Sequence, residues 1–438
     1  MDMLLIVSIL LGFSALFGVL NERFLGLQST IGLMLLALIT SAGLFLLKSA
    51  GIIEGFGWQE ALVRELDLSD VLLNGVLCFM LFAGSAGVKV KGLEDNKWTI
   101  LTLAFGSTIL ACLLIGFSLH FTLGLFGISL ALAYAFVFGA LISPTDPIAA
   151  LAILKAVGLP GPLEDIINGE SLFNDGVGVV LVAVAMAFAA GSSQMGAQDS
   201  VALFLREVLG GLTLGLLVGV ITHFLLLGTQ SYTNQLLITL AVVSLGYSVA
   251  LHVDVSGPIA MVVAGIFVGN VTGPRIPEDV HQPLKDFWDG VDELLNSLLF
   301  VMMGFVIVLV HNLDWAPLAI SVPVAIVVCL LARAVSVYLP ITLLNATPAL
   351  SVDGNRMTGL LTWGGLRGGL ALALALTLPD SPQKTLLVNI TNRVFAFSII
   401  FQCSTNGKLY NTNYQKSILK GRNTTWSPRR PPAWCRDS

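Results

Sequence analysis

Long apolar runs recur throughout this chain of 438 residues, and they constrain its fold more than any other feature. A helix needs about 20 predominantly apolar residues to cross a bilayer. Hydrophobic residues make up 55% of the chain and charged residues only 11%, whereas a soluble domain carries about 25% charged residues. With a mean hydropathy of +0.88, the chain cannot cover a water-facing surface of its size. It is predicted to be an all-α, polytopic membrane protein.

The apolar runs predict about twelve or thirteen spans, depending on how the residues around Gly228–Gly269 are divided. They are Met3–Leu20, Thr30–Leu47, Val71–Gly87, Trp98–Leu119, Ile128–Val157, Leu163–Ala190, Val201–Leu227, Leu236–Leu251, Ser256–Gly269, Leu294–Val310, Leu318–Leu344, Thr358–Leu378 and Leu386–Gln402. The polar, amphipathic stretch 274–293 (PRIPEDVHQPLKDFWDGVDE) is expected to separate the two halves. A weaker interfacial helix is expected at Trp58–Leu66. Together these elements would form one membrane domain over residues 1–405.

Basic residues indicate the orientation, because cytoplasmic loops carry the excess of Lys and Arg. With the N-terminus outside and thirteen spans, most loop cations fall on the cytoplasmic side. Those that fall outside are Lys48, Arg64, Arg206 and Lys384. A short basic tail at 406–438 is then cytoplasmic as well. The chain has no basic stripe with interleaved aromatic residues, so nucleic-acid binding is not expected.

An internal repeat is visible at low resolution. Shifting the chain by roughly 220 residues lays the span at Val71 on the span at Leu294. The same shift lays the interrupted run Ile128–Val157 on the glycine-interrupted run Thr358–Leu378. An odd number of spans in each repeat makes the two halves inverted. Corresponding interrupted helices in two halves indicate the binding site of a transporter.

The most polar part of an apolar region is Asn168–Asp175, with the sequence NGESLFND. In a helix, Glu170 and Asn174 are i,i+4 neighbours, and so are Ser171 and Asp175. Their carboxylate, amide and hydroxyl oxygens therefore share adjacent strips of one face, as a hard cation requires. Acids within membrane-type helices are costly and indicate a functional site.

A second polar group lies at Ser143–Pro147, with the sequence SPTDP. Pro144 and Pro147 remove two backbone donors, so the helix is expected to break there. Such a break is tolerated at membrane depth only where it is buried in protein or lines a cavity. Thr145 and Asp146 lie within the break, and a carboxylate at the start of the next half-helix is favoured by the helix dipole.

A third group lies at Gly359–Gly369, where GLLTWGGLRGG places Arg367 in a helix weakened by glycine. Arg333 is a second cation in an apolar setting. A guanidinium in the membrane needs carboxylate or carbonyl partners. The acids available are Asp146, Glu170 and Asp175. Two arginines against three acids leave one carboxylate free to exchange protons.

A carboxylate removed from water binds its proton more tightly than one in water, so it can hold a proton near neutral pH. A small hard cation also binds carboxylate, hydroxyl, amide and carbonyl oxygens. If a proton and a cation share one carboxylate, they compete for it. Competition combined with alternating access is sufficient for cation–proton exchange, and one-for-one exchange keeps the charge of the site constant.

Three segments in this order, NGESLFND, SPTDPIAALAILK and WGGLRGGLALALAL, resemble the signature segments of the NhaP-type monovalent cation:proton antiporters, relatives of the eukaryotic NHE exchangers. SGPIAMVVAGIFVGN and FWDGVDELLNSLLFVMMGF are also similar to this family, so the resemblance covers about Met3–Gln402. It implies a homodimer in the cell (inner or plasma) membrane. Each protomer would have an interface domain and a moving core domain with two crossed, interrupted helices.

The resemblance also implies roles for individual residues. Asp175 would bind the cation and the proton, with Asn174 as its partner. Ser171 and the backbone carbonyl of Thr145 would complete the coordination of Na+ (or Li+). Glu170 would orient Asn174, and the core would be held by ion pairing and dipole compensation from Asp146, Arg333 and Arg367. The Asn-Asp pair implies electroneutral exchange in this family, and no cofactor is expected.

The last span departs from the family pattern. After FSIIFQ the chain continues CSTNGKLYNTNYQ instead of an apolar stretch, and Arg393 lies inside the span. This departure affects what the resemblance implies about full activity and cytoplasmic regulation. The predicted site residues are not affected.

Other functions stay open on the residues alone. A K+/H+ antiporter of the same fold is the nearest alternative, because oxygen ligands do not define ion size. A channel fits less well, since one buried carboxylate among arginines suits occlusion better than a continuous pore. An intramembrane aspartyl protease requires two aspartates that share one water. Asp146 and Asp175 are nominal candidates for such a pair.

Overall fold

The computed structural model describes residues 3–27, 29–51, 75–146, 151, 161–190, 197–309, 315–345, 354–379, 381–403 and 405. These residues are almost entirely helical and form no β-strand. The helices are α1 (Met3–Leu20), α2 (Ser29–Ser49), α3 (Leu77–Ala86), α4 (Val90–Asp95), α5 (Lys97–Leu125), α6 (Leu132–Ile142), α7 (Gly161–Ala189), α8 (Ala197–Leu227), α9 (Tyr232–His252), α10 (Gly257–Phe267), α11 (Glu278–Leu309), α12 (Trp315–Asn345), α13 (Gly354–Gly364), α14 (Gly369–Leu376) and α15 (Pro382–Phe397). Short π-helical turns interrupt α5 at Thr102–Ser107, extend α10 over Val268–Thr272 and extend α15 over Ser398–Cys403.

The predicted all-α membrane fold is confirmed. Eight helices in the described part of the chain are long and apolar enough to cross a membrane, and α2, α3 and α6 contain shorter apolar segments. The first predicted span coincides with α1, and the predicted span Leu163–Ala190 corresponds to α7. The count of about twelve or thirteen spans stays a prediction. The predicted helix at Trp58–Leu66 and the tail at 406–438 lie outside the described residues.

The stretch 274–293, predicted to be polar and amphipathic, contains the start of a long helix, which begins before the predicted span at Leu294. From Glu278 onward this stretch is helical, and it continues without interruption into the following apolar segment as α11. The physical reason is the spacing of its apolar residues. Val280, Leu284 and Trp288 recur every four residues and are buried, which is the periodicity of an amphipathic helix. The polar residues between them lie on the opposite side of the same helix.

Both predicted helix breaks meet in the structure. The first follows the end of α6 at Ile142, and the second separates the end of α13 at Gly364 from the start of α14 at Gly369. The backbone N–H of Asp146 donates to the carbonyl of Leu366 at 2.9 Å, which joins the two breaks in an antiparallel bridge. The first break therefore supplies a backbone donor and the second a backbone acceptor, and each group gains a partner in place of one lost where its helix is interrupted.

The helices around the breaks recur at the spacing expected for a repeat. Helices α5, α6 and α7 in the first half correspond in order to α12, α13–α14 and α15 in the second half, each roughly 220 residues later. The broken segments Ser143–Asp146 and Gly365–Gly368 keep the same spacing. Since the two breaks pair with each other, the repeated elements place the site at the contact between the halves.

The helices pack as two groups. The core group (α5, α6, α7, α12, α13, α14 and α15) surrounds the breaks, and the second group (α1, α2, α3, α8, α9, α10 and α11) packs mainly on itself. Close packing within the core group requires a glycine at Gly178 on α7. A Cβ atom at this position would overlap the ring of Pro144. The absence of a side chain at Gly178 therefore lets α7 lie directly against the first break.

Candidate cation-binding site

Helix α7 carries the polar residues predicted to form the site, and most of them are removed from solvent. Glu170, Ser171 and Asn174 are buried, and Asp175 is partly exposed. Their i,i+4 spacing is helical as predicted, so they face the two breaks from one side of the helix. A membrane-type helix thus presents four oxygen-bearing side chains where the neighbouring backbone is irregular.

Thr145, inside the first break, is the centre of the hydrogen bonds. The hydroxyl of Ser171 donates to the Thr145 carbonyl at 2.9 Å, and Asn174 Nδ2 donates to Thr145 Oγ1 at 3.2 Å. The amide oxygen Oδ1 of Asn174 is buried without a hydrogen-bond partner among the described residues. Because a buried oxygen without a partner is costly, this atom is a strong candidate for a cation ligand.

The Glu170 carboxylate binds the Arg333 guanidinium. Arg333 Nη2 donates to Glu170 Oε1 at 2.7 Å, and the two side chains are only 2% and 3% exposed. Arg333 Nε also donates to the Leu361 carbonyl at 3.3 Å, near the end of α13. Arg333 Nη2 lies 3.5 Å from Thr145 Oγ1. The pair therefore links α7, α12 and both broken segments, and Glu170 reaches Asn174 indirectly through Arg333 and Thr145.

Arg367 is held by backbone carbonyls. Its Nη1 donates to the Ser143 carbonyl at 3.2 Å, and Nη2 lies 3.5 Å from the Cys329 carbonyl. Its own backbone N–H donates to Ser398 Oγ at 3.1 Å. Ser143 follows the end of α6, where the helix dipole is negative, so the guanidinium lies beside that helix end. Dipole compensation by Arg367 stays a prediction.

A cavity of about 210 Å³ leads to Asp175 between the two helix groups. Asp146, Ser171 and Asp175 line it from the core group. Asp292 and Asn296 of α11 line it from the second group. The carboxylate predicted to exchange ions therefore lies in a cavity at the boundary between helices that pack as separate groups.

The sequence predicted most of the residues that the structure brings together. The eight predicted residues all lie at or beside the two breaks: Thr145, Asp146, Glu170, Ser171, Asn174, Asp175, Arg333 and Arg367. The pairing of Arg333 with Glu170 could not be read from the sequence. Sequence reasoning also missed Asp292, Asn296 and Ser398. The i,i+4 spacing of Asp292 and Asn296 is typical of two side chains on one helix face and could have indicated them. The stretch 274–293 was instead interpreted as a polar segment that separates the two halves.

Two broken helices that meet beside buried oxygen ligands, with a cavity leading to a carboxylate, define a secondary transporter of cations. The chain matches the family model "Sodium/hydrogen exchanger, transmembrane" over residues 11–409. It therefore belongs to the sodium/hydrogen exchanger family, and it is a multi-pass membrane transporter.

Similar proteins agree with this assignment. The chain is 36% identical to the Na+/H+ antiporter NhaP of Pseudomonas aeruginosa, and the match covers 95% of this chain and 99% of that protein. It is 33% identical to the Na+/H+ antiporter NhaH of Halobacillus dabanensis, over 77% of this chain and 83% of that one. The solved structure of the sodium proton antiporter MjNhaP1 from Methanocaldococcus jannaschii at pH 8 has the same fold. Its TM-score is 0.72 at 20% identity, with coverage of 93% of this chain and 98% of that one.

Proposed function

We propose that this chain exchanges Na+ for H+ across the membrane, with Asp175 as the carboxylate that binds each ion in turn. Membership of the sodium/hydrogen exchanger family supports Na+/H+ antiport. The observation that carries the assignment of Asp175 is its position. It lines the cavity between the helix groups, next to Ser171 and one residue after the buried amide of Asn174.

The cation is bound by oxygen atoms that lie around the first break. The Asp175 carboxylate supplies the charge, and Asn174 Oδ1 supplies a buried oxygen without another partner. The Ser171 hydroxyl donates its proton to the Thr145 carbonyl, so the lone pairs of the hydroxyl oxygen stay available to a cation. The Thr145 carbonyl has a second lone pair as well. One carboxylate among otherwise neutral oxygen ligands suits a monovalent ion.

Exchange follows from competition at Asp175. When the carboxylate is protonated, its charge is lost and the cation dissociates. When Na+ binds, the proton leaves. One Na+ takes the place of one H+ at the carboxylate. The site therefore carries the same net charge when it moves with Na+ bound as when it moves with H+ bound. We therefore propose one-for-one, electroneutral exchange.

Alternating access is provided by movement of the core group relative to the second group. The Glu170–Arg333 pair and the bridge between the two breaks join α7, α12 and the broken helices. These contacts would keep the ligands together while the group moves. The same contacts would prevent the freed backbone groups of the breaks from being exposed to lipid, which is costly.

The protein is proposed to work as a homodimer in the cell membrane, with residues 1–405 as the transport domain. The tail at 406–438 is proposed to be cytoplasmic, as the distribution of Lys and Arg indicates. No cofactor takes part, and the substrates are Na+ (or Li+) and H+.

The proposal is tested in proteoliposomes that contain a pH-sensitive dye and a preformed pH gradient. Addition of Na+ or Li+ is expected to dissipate the gradient, and K+ is expected to have little effect. Equal dissipation by K+ would instead support the K+/H+ antiporter. Asp175→Asn should abolish the response to each ion. The control is Asp254→Asn, because Asp254 is a surface residue with a positive φ of 51°, a conformation that Asn also accepts. Full exchange by Asp175→Asn would contradict the assignment.

A further inference from the structure

The cavity that reaches Asp175 has acidic residues on both of its walls. Asp146 and Asp175 belong to the core group, and Asp292 belongs to α11 in the second group. Among the described residues that line the cavity, none is Lys, Arg or His. Every titratable residue among the described residues that line the cavity is therefore acidic, although the exchange reaction itself needs only one carboxylate.

The Asp292 carboxylate is held in a defined position. Asn296, one turn later on α11, is 4% exposed. Its Nδ2 donates to Asp292 Oδ1 at 3.1 Å and to the Asp292 carbonyl at 2.9 Å. Helix α3 leaves room beside this carboxylate, since a Cβ atom added to Gly84 would lie 3.8 Å from Asp292 Oδ1. A fixed carboxylate next to free space is accessible to an ion that passes through the cavity.

Neighbouring acids on α11 differ from Asp292 in their location. Asp289 lies one turn earlier and is exposed, and it faces a separate cavity beside Gly87 and Lys285. Glu293 follows directly but is exposed and does not line the cavity of Asp175. Asp292 is therefore the acid of this segment that shares a cavity with the exchange site.

We propose that Asp292 is a positioning residue for the cation: it attracts hydrated monovalent cations into the cavity and thereby sets the apparent KM for Na+. The inference rests on the proposed exchange at Asp175 and adds a second carboxylate that does not itself exchange. A charge within a narrow cavity with low-dielectric walls acts strongly, because the walls concentrate its field and raise the local concentration of counter-ions. The carboxylate stays on α11 when the core group moves, so it acts while the site faces this cavity.

The expected effect is on KM and not on kcat. Asp292→Asn removes the charge but keeps an oxygen that accepts from Asn296, so the local hydrogen bonds are preserved. We expect the KM for Na+ to rise by about fivefold, while kcat changes by less than about twofold. Asp292→Glu, which retains the charge, should restore a KM close to that of the wild type.

Ionic strength separates this role from a structural one. Adding the chloride salt of a large organic cation that is not transported screens exposed charges. It should therefore raise the KM of the wild-type protein toward that of Asp292→Asn and leave the variant almost unchanged. A variant that is merely misfolded would show no such convergence.

The experiment measures Na+-dependent dissipation of a pH gradient in proteoliposomes that contain wild-type protein, Asp292→Asn, Asp292→Glu or the matched control Asp289→Asn. A raised KM for Asp292→Asn alone, abolished by high ionic strength, supports the proposal. An unchanged KM, or the same rise in Asp289→Asn, overturns it, and so does loss of kcat at constant KM. Asp175→Asn is measured in parallel. If that variant still exchanges ions, the proposed function has failed, whereas a failure confined to Asp292 leaves the exchange at Asp175 intact.

Discussion

The buried ion pair between Glu170 and Arg333 allows a quantitative test of how the site is held together. The change is Glu170→Gln, which preserves the size of the side chain and removes its charge. The carboxylate accepts from Arg333 Nη2 at 2.7 Å, and both side chains are almost fully buried. Arg333 Nη1 already lacks a hydrogen-bond partner among the described residues. The substitution therefore leaves a buried guanidinium without its counter-charge.

Removing one partner of a buried ion pair costs about 3–5 kcal/mol, because the remaining charge is uncompensated. With a decrease of about 2 °C per kcal/mol, typical of larger proteins, the melting temperature should fall by roughly 6–10 °C. The measurement is the melting temperature of detergent-purified protein, followed by intrinsic tryptophan fluorescence. The Na+ response should also weaken, because Arg333 contacts Thr145.

Two further variants make this test decisive. Asp254→Asn is the control and breaks a surface ion pair, in which the Arg206 side chain is 57% exposed and the Asp254 side chain 74% exposed. An exposed pair of this kind contributes at most about 1 kcal/mol to stability. The double variant Glu170→Gln/Arg333→Met removes both charges and should recover part of the lost stability. If Glu170→Gln melts within about 1 °C of the wild type, the pair does not hold the core group together and this reasoning is refuted.

Three other outcomes are expected. Gly290→Ala should raise the melting temperature slightly, because Gly290 lies inside α11 with open space around it and Ala is more favourable in a helix by about 1 kcal/mol; a lower melting temperature would contradict the helix there. Gly178→Val should destabilise the protein strongly, because its side chain would overlap Pro144, and an unchanged melting temperature would mean that α7 does not contact the break. The Na+-driven change in internal pH should not depend on a membrane potential imposed with K+ and valinomycin, and a rate that changes with voltage would argue against one-for-one exchange.

The parts of the fold that depend on local pattern were predictable. The apolar runs placed α1 and α7, and the prolines and glycines placed the breaks after Ile142 and Gly364. An apolar run indicates a span, and prolines or glycines indicate a helix break, from the residues of one segment alone. The role of Thr145 was also implied, but only through the resemblance to a known family.

Contacts between distant segments could not be derived in this way. Whether Arg333 pairs with Asp146, Glu170 or Asp175 depends on the relative positions of α7 and α12, which no local pattern determines. The same applies to Asp292, whose proposed role rests on the cavity that α11 and α7 share. For α11 the amphipathic periodicity was present in the sequence, but its high polarity was interpreted as a separator between halves.

The central claim is that Asp175 gives up its proton when Na+ binds. The direct measurement is proton release from purified protein in weakly buffered detergent solution on addition of Na+, followed with a pH indicator. Wild-type protein is expected to release about one proton per protomer, as competition for one carboxylate requires, and Asp175→Asn is expected to release none. Proton release by Asp175→Asn equal to that of the wild type would contradict the account.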